Sequence, residues 1–133
     1  MDLRCPCGAG LGQLTYNYNG DIYTCDEARM LAWEGDQLFK AGNVFRDPYK
    51  EIVLSGAVKA CASASCLDSQ PACSRCAWRP YCGVCPVYNY RTQGSLWGHM
   101  PDNQRCRLLK GIFGVIFAYV KDKRMHSGVF GKW

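Results

Sequence analysis

Four cysteines stand within thirteen residues, Cys73-Ser-Arg-Cys76-Ala-Trp-Arg-Pro-Tyr-Cys82-Gly-Val-Cys85, and that spacing can surround a metal centre with thiolates. The chain carries ten cysteines in all. Cys7 and Cys25 frame a segment near the N-terminus, and Cys106 opens an apolar stretch near the C-terminus. The thiols are grouped as ligand sets are grouped, and the chemistry they point to is that of a metal-cluster domain.

Several elements must position them. Leu14-Thr-Tyr16-Asn-Tyr18 alternates in polarity, Asn19-Gly20 is the preferred pair for a type I′ turn, and Asp21-Ile22-Tyr23-Thr24-Cys25 returns, so a β-hairpin with Cys25 on its outgoing strand is predicted. Cys7 precedes Gly8-Ala-Gly10-Leu-Gly12, where glycines allow backbone to pass close to something bulky. A helix is expected from Asp47-Pro48 through Ile52, Val53, Ala57, Val58 and Cys61, whose apolar positions recur at helical spacing. Residues 62–72 read as a loop delivering the chain to Cys73, and the stretch after Cys85 reads as a series of turns with little regular structure. A last helix is expected to start near Asp102, to carry Cys106 in its first turn, and to bury Leu109, Ile112, Phe113, Ile116, Phe117 and Val120 as a core helix. At its N-terminus a thiolate would feel the positive end of the helix dipole.

Composition sets the frame. At 133 residues, 48% hydrophobic, the chain can bury one ordinary core and is read as one domain at most. Its start has no apolar signal region, and its longest apolar run, from Ile112 to Val120, is too short to span a bilayer, so a cytoplasmic protein with reduced thiols and no membrane partner is expected. The formal net charge of +5 would ordinarily suggest an anionic partner. Eight thiolates holding two four-iron cores subtract eight charges, and the cores return two each, leaving +1. Nucleic-acid binding loses its main support on that count.

The metal itself stays open on these grounds. Cys73, Cys76, Cys82 and Cys85 would suit a closed, tetrahedral zinc site, and a zinc-binding, ribbon-like interaction module without a redox role is the alternative reading. One zinc leaves Cys7, Cys25 and Cys106 unexplained; two zinc ions or two iron clusters would both use eight thiolates.

The pattern Cys7-x12-Gly20-x4-Cys25, Cys73-x2-Cys76-x5-Cys82-x2-Cys85, Cys106 resembles the SPASM domain, which follows the catalytic barrel of many radical SAM enzymes that modify ribosomally made peptides and holds two auxiliary [4Fe-4S] clusters. The family usually has three residues between its last close pair, where this chain has Gly83 and Val84. The strings Cys7-Gly-Ala-Gly-Leu-Gly-Gln, Tyr16-Asn-Tyr-Asn-Gly-Asp-Ile-Tyr-Thr-Cys-Asp26 and Cys82-Gly-Val-Cys-Pro-Val most resemble the His-Xaa-Ser system maturases. The resemblance implies that Cys7, Cys25 and Cys85 hold the first cluster with a fourth cysteine from slightly upstream, for which only Cys5 is available. Cys66, or an open iron site, is the other option. Cys73, Cys76, Cys82 and Cys106 are implied for the second cluster. Asp26, directly after Cys25, matches the place of a general base in sulfatase-maturating relatives, with a solvated or capping Asp as its plain alternative.

Other residues are read more plainly. Cys61 is expected to be a small buried hydrophobe, Glu27 and Arg29 an ion pair or helix-start charges, and His99 and His126 surface residues. Tyr16, Tyr18, Tyr23, Trp78, Tyr81, Tyr88, Tyr90 and Trp97 are expected to pack around the clusters and exclude water. No cysteine here is separated from the next by three residues, so the Cys-x3-Cys-x2-Cys set of radical SAM catalysis is missing, and a complete barrel would need at least ~200 residues. The expectation is a small α+β domain, residues 1–121 with a polar tail over 122–133. It would hold two [4Fe-4S] clusters, reach SAM only through a catalytic barrel outside this sequence, be unable to cleave SAM alone, and act on a precursor peptide.

Overall fold

The computed structural model describes residues 7–122. They fall into two compact units, Met1–His99 and Met100–Trp133. The first unit is α+β, a three-stranded antiparallel sheet with helices packed on it.

The sheet begins with the expected hairpin. Strands β1 (Thr15–Tyr16) and β2 (Asp21–Tyr23) pair Thr15 with Tyr23 and Tyr16 with Ile22. The turn differs from a type I′ pair. Asn19 keeps a negative φ, only Gly20 is left-handed at φ +83°, and Asn17 N–H donates to Asp21 O at 2.8 Å, closing a three-residue loop. Polar side chains explain the choice: Asn19 Oδ1 accepts from Asp21 N–H at 3.1 Å and Asn19 Nδ2 donates to Asp21 Oδ2 at 3.0 Å, ties that hold Asn19 out of the left-handed region. A Cβ on Gly20 would also lie 2.5 Å from the Phe45 ring.

A third strand, β3 (Lys40–Asn43), lies on the far side of β2, pairing Asp21 with Asn43 and Ile22 with Gly42, with a bulge before Tyr23 meets Lys40. Sequence reading missed it because Lys-Ala-Gly-Asn lacks β-branched residues. What holds it is polar: Asn43 Nδ2 donates to Asp21 Oδ1 at 2.8 Å and to Asn19 O at 3.1 Å, and Lys40 Nζ pairs with Asp21 Oδ1 at 2.7 Å. The Asn43 amide and Lys40 together hold the Asp21 carboxyl below its usual range.

Helix α1 (Asp26–Trp33) follows β2 directly, burying Ala28 and Leu31. The helix expected from Asp47 to Cys61 is two helices, α2 (Tyr49–Val53) and α3 (Gly56–Ser65), divided at Ser55, whose Oγ accepts from Val58 N–H and starts the second. Asp47 lies before α2, and its Oδ2 accepts from Asn43 N–H at 2.7 Å. The expected loop over 62–72 is shorter than that, because α3 runs on to Ser65 and a 3-10 turn covers Leu67–Ser69.

The stretch after Cys85 is also more regular than expected. Helix α4 spans Pro86–Gln93, with Cys85 as N-cap, proline in its first turn, and Gly94 closing it at φ +68°. These were all helix-boundary signals, and read as turns they hide the two helical turns between them. Apolar side chains gather in two clusters: Ile22, Ala41, Ile52 and Val58 with Leu14, and Ala9, Tyr23, Cys25, Ala28, Leu31, Phe39, Cys61 and Val87 with half-buried Cys7, Cys85, Tyr90 and Leu96.

The second unit contributes a 3-10 turn at Met100–Asp102 and helix α5 (Gln104–Lys121), capped by Asn103, whose Oδ1 accepts from Cys106 N–H at 3.0 Å. The helix is where it was expected, but it is not a core helix. Leu109, Phe113, Phe117 and Val120 are half-buried, Ile112 and Ile116 are exposed, and none is fully buried. One helix cannot bury its own stripe, and among the described residues of this unit only the short turn stands beside it. Among the described residues no helix is long and apolar enough to cross a membrane.

Candidate metal centre

Cys7, Cys25 and Cys85 come from three parts of the chain and meet in the second apolar cluster. Cys7 leads a loop wound round the Gly8 carbonyl, which accepts from Leu11, Gly12 and Gln13 N–H at 2.8–3.2 Å. Gly10 N–H then donates to Thr24 O at 3.0 Å, which ties the loop to the residue before Cys25. Gly10 has φ +76°, and a Cβ there would lie 3.1 Å from Val58 Cγ1, so glycine lets the loop press onto α3. Cys25 is the N-cap residue of α1 and is 3% exposed. Cys85 is the N-cap of α4, where its Sγ accepts from Tyr88 N–H at 3.4 Å.

Cys61 stands among these three. It is fully buried on α3, as expected for a small apolar residue, and belongs to the same cluster as Cys25. Burial pushes the Cys25 thiol up to about 12, with Glu27 adding to it, and the Cys61 thiol up to about 11, with Cys7 and Cys85 adding to it. Thr24 is the polar exception in this region. Its Oγ1 is fully buried and completes no hydrogen bond among the described residues, yet it stands near enough to the Cys61 sulfur to favour the thiolate. Leaving such a hydroxyl unsatisfied costs about 1–3 kcal/mol, which a charged sulfur beside it would offset.

The Cys73–Cys82 segment is a run of turns. Cys73 and Ser74 N–H donate to Gln70 O, Cys76 N–H to Cys73 O, and Arg79 N–H to Cys76 O, at 2.9–3.1 Å. Two side chains anchor the run. Buried Gln70 donates through Nε2 to Ala64 O at 2.8 Å, and Arg79 Nη1 reaches Asp68 Oδ1 at 2.6 Å and Ser74 O at 3.1 Å. Cys73, Cys76 and Cys82 are all half-buried, so each sulfur can be reached without unfolding the segment.

The donors are thiols, soft ligands suited to iron-sulfur clusters and zinc alike. Among the described residues no three His, Cys, Asp or Glu side chains stand at the close spacing of a single-ion site. The buried thiols, the orphan hydroxyl of Thr24 and the N–H aimed at Cys85 fit a thiolate-held cluster.

The family model for SPASM, an iron-sulfur cluster-binding domain, matches residues 5–86, more than half of the chain. The chain belongs to the SPASM family. It is therefore an iron-sulfur cluster-binding domain, and the matched region includes Cys5, Cys7, Cys25, Cys73, Cys76, Cys82 and Cys85. No curated protein and no solved structure matches the chain.

The remaining SPASM candidates are placed unevenly. Cys5 and His126 lie outside the described residues. Cys106 is carried by the second unit, in the first turn of α5. Cys66 caps the end of α3 and is not part of the buried cysteine cluster. Asp26 opens α1 as an exposed residue paired with Arg29 at 2.6 Å, while that guanidinium also lies 5.4 Å from the Trp33 ring centroid. Arg29 thus pairs with Asp26 rather than Glu27. His99 is exposed, and its backbone N–H donates to Gln93 Oε1 at 2.9 Å. Of the aromatics, Tyr23 is buried in the cysteine cluster and Tyr90 meets Phe39 edge-on with centroids 5.7 Å apart, whereas Tyr16, Tyr18, Tyr81 and Trp97 face outward. Of these four, Tyr16 lies on β1 and Tyr18 in the hairpin loop.

Proposed function

We propose that this SPASM domain holds two [4Fe-4S] clusters and serves as the auxiliary-cluster module of a radical SAM enzyme that modifies a ribosomally made peptide. The observation that carries this reading is the meeting of Cys7, Cys25 and Cys85, drawn from a loop, a hairpin end and a helix start, in an apolar cluster that does not include Cys73, Cys76 or Cys82. Cys7, Cys25 and Cys85 serve the first cluster; Cys73, Cys76, Cys82 and, by the resemblance, Cys106 serve the second. Such clusters, when bound, supply one-electron transfer. The chain's own residues hold and dry them: Tyr23, Phe39, Leu31 and Val87 keep water from the first site.

The role beside the catalytic barrel is electron transfer or positioning of the precursor peptide, with Asp26 as a candidate base on the exposed start of α1. The sequence itself contains no Cys-x3-Cys-x2-Cys set, so SAM cleavage belongs to the barrel. The short strings around Cys7, Cys25 and Cys82 support a precursor peptide of the His-Xaa-Ser class as the substrate, and a reducing cytoplasm suits oxygen-sensitive clusters.

Anaerobic purification tests the cluster part. A brown protein with about eight irons per chain is expected; a colourless protein with two zinc ions would overturn it and favour the ribbon-like interaction module. The partnership is tested on genomic DNA. An in-frame Cys-x3-Cys-x2-Cys codon pattern before Met1, or one in an adjacent gene, supports it, and its absence from both counts against it.

A further inference from the structure

We propose that Cys61, on α3, is the fourth thiolate ligand of the first cluster, which then has no open iron. The assignment rests on the cluster reading above. Three observations carry it. Cys61 shares the buried cluster of Cys25, and Cys7 and Cys85 pack against that cluster, so the four thiols lie in one buried region. It is held on a ten-residue helix whose Val58, three residues earlier, is locked into the neighbouring apolar cluster, so the sulfur is positioned by a rigid element. Thr24 Oγ1, fully buried and without a hydrogen-bond partner among the described residues, faces this sulfur, which is where a donor to a metal-bound thiolate belongs.

An ordinary buried cysteine would explain the burial, but a neutral thiol is only a weak acceptor for the Thr24 hydroxyl, whereas a thiolate is a strong one. Cys66 does not compete. Five positions along, it caps the end of α3 and stands apart from the cluster that holds Cys25 and Cys61. The closure is a simple exchange: the Cys61 thiol gives its proton to solvent as its sulfur bonds to iron.

The test uses the full chain, reconstituted anaerobically with ferrous iron and sulfide, reduced with dithionite, and followed by electron paramagnetic resonance with and without cyanide, which binds an iron lacking a protein ligand. Cyanide should leave the spectra of the wild type, Cys5→Ala and Cys66→Ala unchanged, and should alter the first-cluster signal of Cys61→Ala. Cys61→Ser, which keeps the volume, should retain the cluster with a shifted signal. A wild-type signal altered by cyanide overturns the assignment while leaving the cluster reading intact. So does a Cys5→Ala chain that opens the cluster while Cys61→Ala does not. Should both Cys61 variants lose their helical circular dichroism, the wild-type and Cys5→Ala spectra still decide. A wild type that takes up no iron overturns the cluster reading, and this assignment with it.

Discussion

At the residue scale the decisive property is the burial of thiols. Cys25 and Cys61 are raised from an ordinary value of 9.0 to about 12 and about 11. In the iron-free chain this gives a definite pH dependence. Below pH ~9 the thiols are protonated folded and unfolded alike; above it the unfolded chain ionises first, so stability falls as pH rises through about 11 to 12. Urea midpoints of the iron-free chain between pH 8 and 11 should therefore decline, and those of the iron-loaded chain, whose sulfurs are already thiolates, should not decline for this reason. Thr24→Val separates the two states further. It should be neutral or stabilising by up to ~1 kcal/mol in the iron-free chain, where the hydroxyl is unsatisfied. In the loaded chain it should lower the first cluster's potential by removing a donor to sulfur, as a redox titration would read.

At the element scale, the sheet is knitted by charge and amides more than by apolar pairs. Asp21, Asn43, Asn19 and Lys40 bind β2, β3 and the hairpin turn together around one carboxylate. Because the folded-state pKa of Asp21 is lowered, its contribution is present above its ordinary value of 3.8 and is lost as pH falls through the folded value. Asp21→Asn should cost about 1–3 kcal/mol at pH 7 and nearly nothing once the wild-type carboxyl is protonated, measured by denaturant melts at the two pH values. The anchor of the cysteine turns belongs to this scale too. Gln70→Ala removes the buried bond to Ala64 and frees the turns that carry Cys73 and Cys76. It should lower the iron content assigned to the second cluster while the first-cluster signal persists.

On the scale of the whole molecule, the chain falls into two compact units. Met1–His99 has its own apolar clusters and its own hydrogen-bonded turns. On the proposed assignment of Cys106 to a second cluster, Cys106→Ser should leave the fold of that unit and the first-cluster signal in place while the iron content falls, as iron analysis and circular dichroism would report. A Cys106→Ser chain that loses both signals would mean that the two clusters assemble as one cooperative step.

Much of the site was legible before any coordinates. Cysteine spacing alone marked Cys7, Cys25, Cys73, Cys76, Cys82 and Cys85 as ligand-type residues, and the alternation around Asn19-Gly20 placed the hairpin, because both signals are local. What escaped was what depends on distant partners. Strand β3 is held by Asp21 and Asn19 across the sheet, α4 is started by a cysteine acting as its cap, and α5 keeps an amphipathic pattern without becoming core. Cys61 is the sharpest case. Its helical position foretold burial, but only the folding of α3 against the sheet and α4 put it in one apolar cluster with Cys25, since a side chain's neighbours are chosen by packing between elements and not by its place along one.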